Sequence, residues 1–158
     1  MANPNCGAST YITWEAKLQD DVSQWKTKLT EEERNHITQI LRLFTQSDVA
    51  VGTNYIEHYL SKFKNNEIRS MLTSFANREF THQRSYALLN DTLGLPEEEF
   101  SAFLEYSEMS EKVEFMLDID TNSYSGLAQA VARSAINEGM SLFSAFVMLI
   151  NYSRFGKM

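Results

Sequence analysis

The stretch Ile68-Arg-Ser-Met-Leu72-Thr-Ser-Phe75-Ala-Asn-Arg-Glu79-Phe-Thr-His82-Gln-Arg-Ser-Tyr86-Ala-Leu-Leu89-Asn-Asp-Thr-Leu93-Gly94 decides the fold. Ile68, Leu72, Phe75, Glu79, His82, Tyr86, Leu89 and Leu93 recur at alternating steps of four and three, so they share one face of a helix. Asn65-Asn66 supplies a start and Gly94, with Pro96 close behind, a stop. The stripe is apolar at both ends, yet its centre carries an acid, an imidazole and a phenol.

The same pattern recurs on either side. Thr30-Glu31-Glu32-Glu33 has capping-box form, and its acids suit the positive end of a helix. Ile37, Leu41, Phe44, Asp48, Val51 and Tyr55 then come on one face, with Asp48 inside an apolar row. After Asp120-Thr-Asn-Ser123, a last helix carries Tyr124, Leu127, Val131, Ala135, Glu138, Leu142, Ala145, Leu149 and Tyr152, ending near Gly156. Between them, residues 96–118 read as a noisier helix with a break near Ser107–Ser110. Nowhere does a period of two persist long enough for a strand, so the expected fold is an all-α helical bundle spanning residues 30–158. Residues 1–29, with Trp14 and Trp25, read as an N-terminal arm.

Composition narrows the function. The chain has 158 residues, 43% of them hydrophobic, and a net charge of −7. That balance offers no attraction to nucleic acid or to an anionic membrane. Its longest strongly apolar run, Leu142 to Ile150, falls far short of the ~20 residues needed to span a bilayer. The single cysteine, Cys6, cannot build a disulfide framework or a cysteine-rich metal site, and the N-terminus is not of secretory form. A cytoplasmic protein is expected.

The stripe acids point to metal. A carboxylate in an apolar interior costs several kcal/mol unless it is paired or bound to a cation. Asp48, Glu79 and Glu138 each sit mid-stripe on a different helix, His82 comes three residues after Glu79, and no Lys or Arg shares those stripes. Helical bundles that hold two iron or manganese ions draw a Glu from each of two helices and Glu-x-x-His from two others. A second Glu-x-x-His, Glu33 to His36, is out of register: His36 precedes Asp48 by about 18 Å of helix at 1.5 Å per residue. It reads as a pair of solvated first-turn residues, and His58 as a surface or packing residue. Tyr86, one turn beyond His82, could be a hydrogen-bonded core tyrosine or a one-electron donor to an oxidising metal pair. Leu142 and Phe146 could form a dry wall around it.

These residues resemble the small, radical-bearing subunit of class I ribonucleotide reductases. The stretch Ser74-Phe-Ala-Asn-Arg-Glu79-Phe-Thr-His82-Gln-Arg-Ser-Tyr86 is similar to that family's signature helix. Phe44-Thr-Gln-Ser-Asp48 resembles the helix with its aspartate ligand, and Glu138-Gly-Met-Ser-Leu-Phe-Ser-Ala-Phe146 the helix with its third glutamate. Asp rather than Glu at position 48 favours this family over ferritins. The resemblance implies a ferritin-like bundle with a di-iron, manganese–iron or di-manganese centre. Asp48, Glu79 and His82 would bind one metal, Glu79 would bridge, and Glu138 would bind the second. Tyr86 would hold a stable radical after oxygen activation. A large subunit would use that oxidising equivalent to make deoxyribonucleotides, and the complete small subunit would be a homodimer.

The family's second Glu-x-x-His helix and its C-terminal docking tail are not among these 158 residues. The expectation is an incomplete bundle, an N-terminal portion that a complementing C-terminal chain would complete, and that alone holds no stable metal pair. Neither Tyr11 nor Trp14 matches the family's N-terminal electron-transfer tryptophan cleanly. Two other readings use the same residues: a different dimetal oxidase or ferroxidase, and a non-catalytic helical protein whose stripe acids are held by hydrogen bonds.

Overall fold

The computed structural model describes residues 18–96, 98 and 106–157, all of them helix or connection, with no strand among them. In chain order the helices are α1 (Gln19–Thr27), α2 (Glu31–Thr53), α3 (Asn66–Leu93), α4 (Ser107–Leu117), α5 (Tyr124–Ile136) and α6 (Phe143–Arg154). Two π-helical segments interrupt this order: Asn54–Tyr59 continues α2, and Asn137–Leu142 joins α5 to α6. The junction residues Ile136, Asn137, Leu142 and Phe143 all keep right-handed helical dihedrals, so α5, the π segment and α6 form one continuous rod.

The caps act where the sequence places them. The Thr30 hydroxyl accepts from the Glu33 backbone N–H at 3.2 Å, and the Glu33 carboxylate accepts from the Thr30 N–H at 2.9 Å. Asn65 Oδ1 accepts from the Ile68 N–H at 3.0 Å to open α3. Gly94 closes it in the left-handed region (φ 75°), which suits a residue without Cβ. The Ser123 hydroxyl accepts from the Gly126 N–H at 3.0 Å to open α5.

The most extensive packing is between α2 and α3, with α4 and α6 also against α2. At Gly52 the two main helices approach closely: a Cβ there would lie 3.4 Å from Glu79 Cβ. Three apolar clusters hold the bundle. Trp25, Leu29, Ile37, Leu41 and Leu93 fill one end. Ile40, Phe44 and Ala145 form the middle, and Tyr59, Leu72 and Ala130 the other end. Tyr86 packs against both of the first two, so it sits at their junction.

The structure departs from the sequence reading in several places. Within the segment read as an arm, Gln19–Thr27 is helical and buries Trp25 in the first cluster, while residues 1–17 lie outside the described residues. Of the helix expected over 96–118, Glu98 and Ser107–Leu117 are helical, the second stretch beginning at the expected break, while 97 and 99–105 lie outside the described residues. In α5 the buried edge is offset by one position: Ala130 is buried, but Tyr124 and Val131 of the expected stripe are exposed. Glu33 and His36 are also not merely solvated. Lys157 Nζ lies 2.6 and 2.7 Å from the two Glu33 carboxylate oxygens, and His36 Nδ1 meets the Tyr152 hydroxyl at 2.8 Å, so both tie the start of α2 to the end of α6. His58 lies half-buried on the first π segment.

Candidate metal centre

Asp48 comes from the last turns of α2, Glu79 and His82 from the middle of α3. They meet because Phe44 and Asp48 on one helix face the Glu79–Tyr86 stretch on the other. One ligand atom from each of Asp48, Glu79 and His82 lies within 4.8 Å of the other two. His82 Nδ1 is 3.3 Å from Glu79 Oε2 and 3.7 Å from Asp48 Oδ2. Gln83 Nε2 donates to the Asp48 backbone carbonyl at 3.0 Å, which pins the two helices in register beside the trio.

Electrostatically this is an under-compensated site. Asp48 is 2% exposed, and its Oδ2 is buried with no hydrogen-bond partner. A buried carboxylate oxygen left so is rare, because its desolvation goes unrepaid. Burial, reinforced by the charges of Glu79 and Glu138 and only partly offset by His82, pushes the Asp48 carboxyl up to about 7. The hydrogen bond to Glu79, outweighing desolvation, raises His82. Burial and then Glu79 raise Glu138. Three acids and one imidazole thus crowd together with too little positive charge, which one or more cations would supply. The donor set of carboxylate oxygens and one imidazole nitrogen suits iron or manganese, so these residues fit the metal that the sequence reading calls for.

Glu138 is placed differently from the other three. It sits on the π segment Asn137–Leu142, outside the tight trio but near enough to raise Asp48, Tyr55 and Tyr86. It also borders an apolar cavity of about 460 Å³ between the Tyr55–Phe63 stretch, the start of α3 and α5. Sequence spacing put Tyr55 on the Asp48 face but did not single it out as a neighbour of the other acids. Its phenol is held up to about 12, mainly by burial and then by Glu138 and Glu79.

Tyr86 lies one turn beyond His82. Its ring stacks on Phe44, with centroids 5.4 Å apart and planes 21° from parallel, and Phe44 in turn meets Phe146 at 4.6 Å. Leu142 and Phe146 pack on the same Phe44 cluster as Tyr86. Burial is the main reason the Tyr86 phenol is pushed well above its ordinary range, with Asp48, Glu79 and Glu138 adding to it. The five positions singled out by sequence, with the two wall residues, therefore surround one region of the bundle.

These shifts make stability depend on pH. Asp48 titrates near 7 when folded against an ordinary 3.8. Between those values the folded state keeps a proton that the unfolded chain releases, so metal-free stability falls as pH rises from about 4 to 7. His82, raised above its ordinary 6.5, extends the loss upward in the same direction. The lowered acids Glu32 and Glu33 lose their contribution as pH falls below about 4.5, so they touch only the lower edge of this window. Thermal melts in chelator should show a declining Tm across the window, reversed at neutral pH by Mn(II). A flat profile would contradict it.

The sequence model for the ribonucleotide reductase small chain matches residues 7–158. The probable ribonucleoside-diphosphate reductase small subunit of Invertebrate iridescent virus 3 is 38% identical over 91% of this chain and 43% of its own length. The subunit beta of ribonucleoside-diphosphate reductase from Chlamydia pneumoniae is 29% identical over 96% of this chain and 48% of its own. This chain therefore spans less than half the length of these relatives. A crystal structure of a class I ribonucleotide reductase from Bacillus halodurans superposes with a TM-score of 0.85 at 22% identity, covering 96% of this chain and 56% of that one. It establishes the fold. No described helix is long and apolar enough to cross a membrane. By sequence model and by relatives, the chain belongs to the ribonucleotide reductase small-chain family.

Proposed function

We propose that this chain supplies part of the dimetal, radical-generating centre of a class I ribonucleoside-diphosphate reductase in the cytoplasm. The observation that carries this reading is the buried Asp48 carboxylate, one oxygen without a hydrogen bond, facing Glu79 and His82 one turn from Tyr86. Asp48, Glu79 and His82 would hold one ion, with Glu79 reaching toward a second beside Glu138. When bound, such an iron or manganese pair supplies the oxidising power drawn from oxygen.

The rest falls to the chain. Metal binding requires Asp48 to give up the proton it holds near neutral pH, so loading releases protons. Tyr86, kept protonated by burial, is the phenol nearest these ligands on their own stripe and loses one electron and its proton on oxidation. Phe44, Leu142 and Phe146 keep water and soluble reductants from its ring. The oxidising equivalent would pass to the large chain, where ribonucleotides are reduced. Ile136, Met140, Phe143, Val147 and Ile150 leave α5, the π segment after it and α6 with a row of exposed apolar side chains. We take that row as a contact face in the assembled small chain, which we propose is a homodimer.

These residues offer four donors: Asp48, Glu79, His82 and Glu138. The second ion would need others, so the 158-residue chain alone should bind one ion firmly and give no lasting tyrosyl signal. The test is a chimera in which residues 25–158 replace their counterparts in the iridescent virus relative. Iron(II) and oxygen should produce a tyrosyl signal by electron paramagnetic resonance that disappears in Tyr86→Phe. A chimera that folds and loads iron but gives no Tyr86-dependent signal would overturn the proposal.

A further inference from the structure

A second buried side-chain oxygen lacks a hydrogen bond, at the start of the first π segment. Asn54 is 4% exposed, and its Nδ2 donates to the Met116 carbonyl at 2.9 Å. A carbonyl can only accept, so this bond fixes which way the amide points. The remaining oxygen, Asn54 Oδ1, is buried without a hydrogen bond. Asn54 lines a cavity of about 20 Å³ together with Tyr59, Ser134 and Asn137, and Arg133 and Phe115 form another of its walls, the guanidinium 4.6 Å from the ring centroid.

We infer that one ordered water occupies this cavity and bridges Asn54 Oδ1 to the Tyr59–Ser134 hydroxyl pair. Size supports it: a water needs room of roughly 10–15 Å³, so the space admits one. The hydrogen bonds balance as well. Tyr59 and Ser134 share one bond, oxygen to oxygen, at 2.8 Å. Two hydroxyl protons serve that pair and only one is used within it, leaving one donor for a water. The water then donates to Asn54 Oδ1, and its second proton can reach the Asn137 side chain. The buried Asn54 oxygen thereby gains the bond it otherwise lacks.

The location gives this water a structural role. Asn54 opens the first π segment and Asn137 the second, and the next residues are Tyr55 and Glu138. A bridge here fixes the spacing of α2 and α5 just where Glu138 leaves the regular helix. The cavity and the unpaired amide call for this water whether or not the radical reading holds.

A crystal structure of the chain at about 1.8 Å should show one isolated density peak within about 3.2 Å of Asn54 Oδ1 and of a Tyr59 or Ser134 oxygen. In Asn54→Leu that peak should vanish. An empty cavity in the wild type, or a peak unchanged in the variant, would overturn the bridge. Should the variant not fold, the wild type alone decides the matter in solution. A nuclear Overhauser cross-peak between water and the Asn54 side-chain amide protons is expected, and its absence counts against the water.

Discussion

Asp48→Asn is expected to move two properties in opposite directions. Affinity for Mn(II) or Fe(II) should fall about 100-fold or more, because a buried anionic oxygen 3.7 Å from His82 Nδ1 is removed; altering even outer partners of metal ligands costs ~10–100-fold. At pH 7.5 without metal, however, the variant should melt higher than the wild type, by about 5 °C. The substitution keeps the shape of the side chain and removes a buried charge that Glu79 and Glu138 oppose. A structural acid held by hydrogen bonds behaves the other way, since its loss lowers Tm and leaves metal binding alone. Isothermal titration with Mn(II), paired with calorimetric melts in chelator, reads both signs. A lower Tm with undiminished affinity would assign Asp48 to structure and not to metal.

The second large effect concerns the ring beneath Tyr86. Phe44 is fully buried, touches the rings of both Tyr86 and Phe146, and anchors the middle cluster. Phe44→Ala should cost about 3–5 kcal/mol, since the transfer energy of the ring is lost and α2 cannot collapse onto the space. For a chain of this size that corresponds to a drop in Tm of roughly 10 °C. Phe44→Leu keeps most of the volume and should cost markedly less. Urea unfolding of the three proteins would give the order wild type, Leu, Ala. Equal stability of wild type and Phe44→Ala would mean that Tyr86 is not packed as described.

The features legible in the sequence were those that side-chain chemistry imposes. Thr30, Asn65, Ser123 and Gly94 announce helix ends because each makes a bond or adopts a dihedral that few residues can. Glu79, His82 and Tyr86 could be placed on one face from spacing alone, because α3 runs as a regular α-helix through them. Asp48 emerged from the same periodicity on α2.

The features that escaped the sequence have physical causes too. A π turn is a change in backbone hydrogen bonding with no required side chain, so neither Asn54–Tyr59 nor Asn137–Leu142 could be read in advance. Each extra residue per turn rotates the side chains beyond it, and Glu138, in the first turn of the second segment, lies outside the tight trio of the other ligands. The helix Gln19–Thr27 is too short to show a period and has no side-chain N-cap; burial of Trp25 against Leu29, Ile37, Leu41 and Leu93 holds it. In α5, apolar residues lie on more than one side, so hydropathy could not tell which edge the bundle would bury.

Convergence of Asp48, Glu79 and His82 as ligands to one metal ion is open to direct observation. Crystals of the 158-residue chain soaked in Mn(II) and measured for anomalous scattering provide it. An anomalous peak is expected about 2.0–2.4 Å from a carboxylate oxygen of Asp48, a carboxylate oxygen of Glu79 and His82 Nδ1. A map with no peak among those three side chains, or with peaks confined to the surface, would contradict the assignment of these residues as ligands.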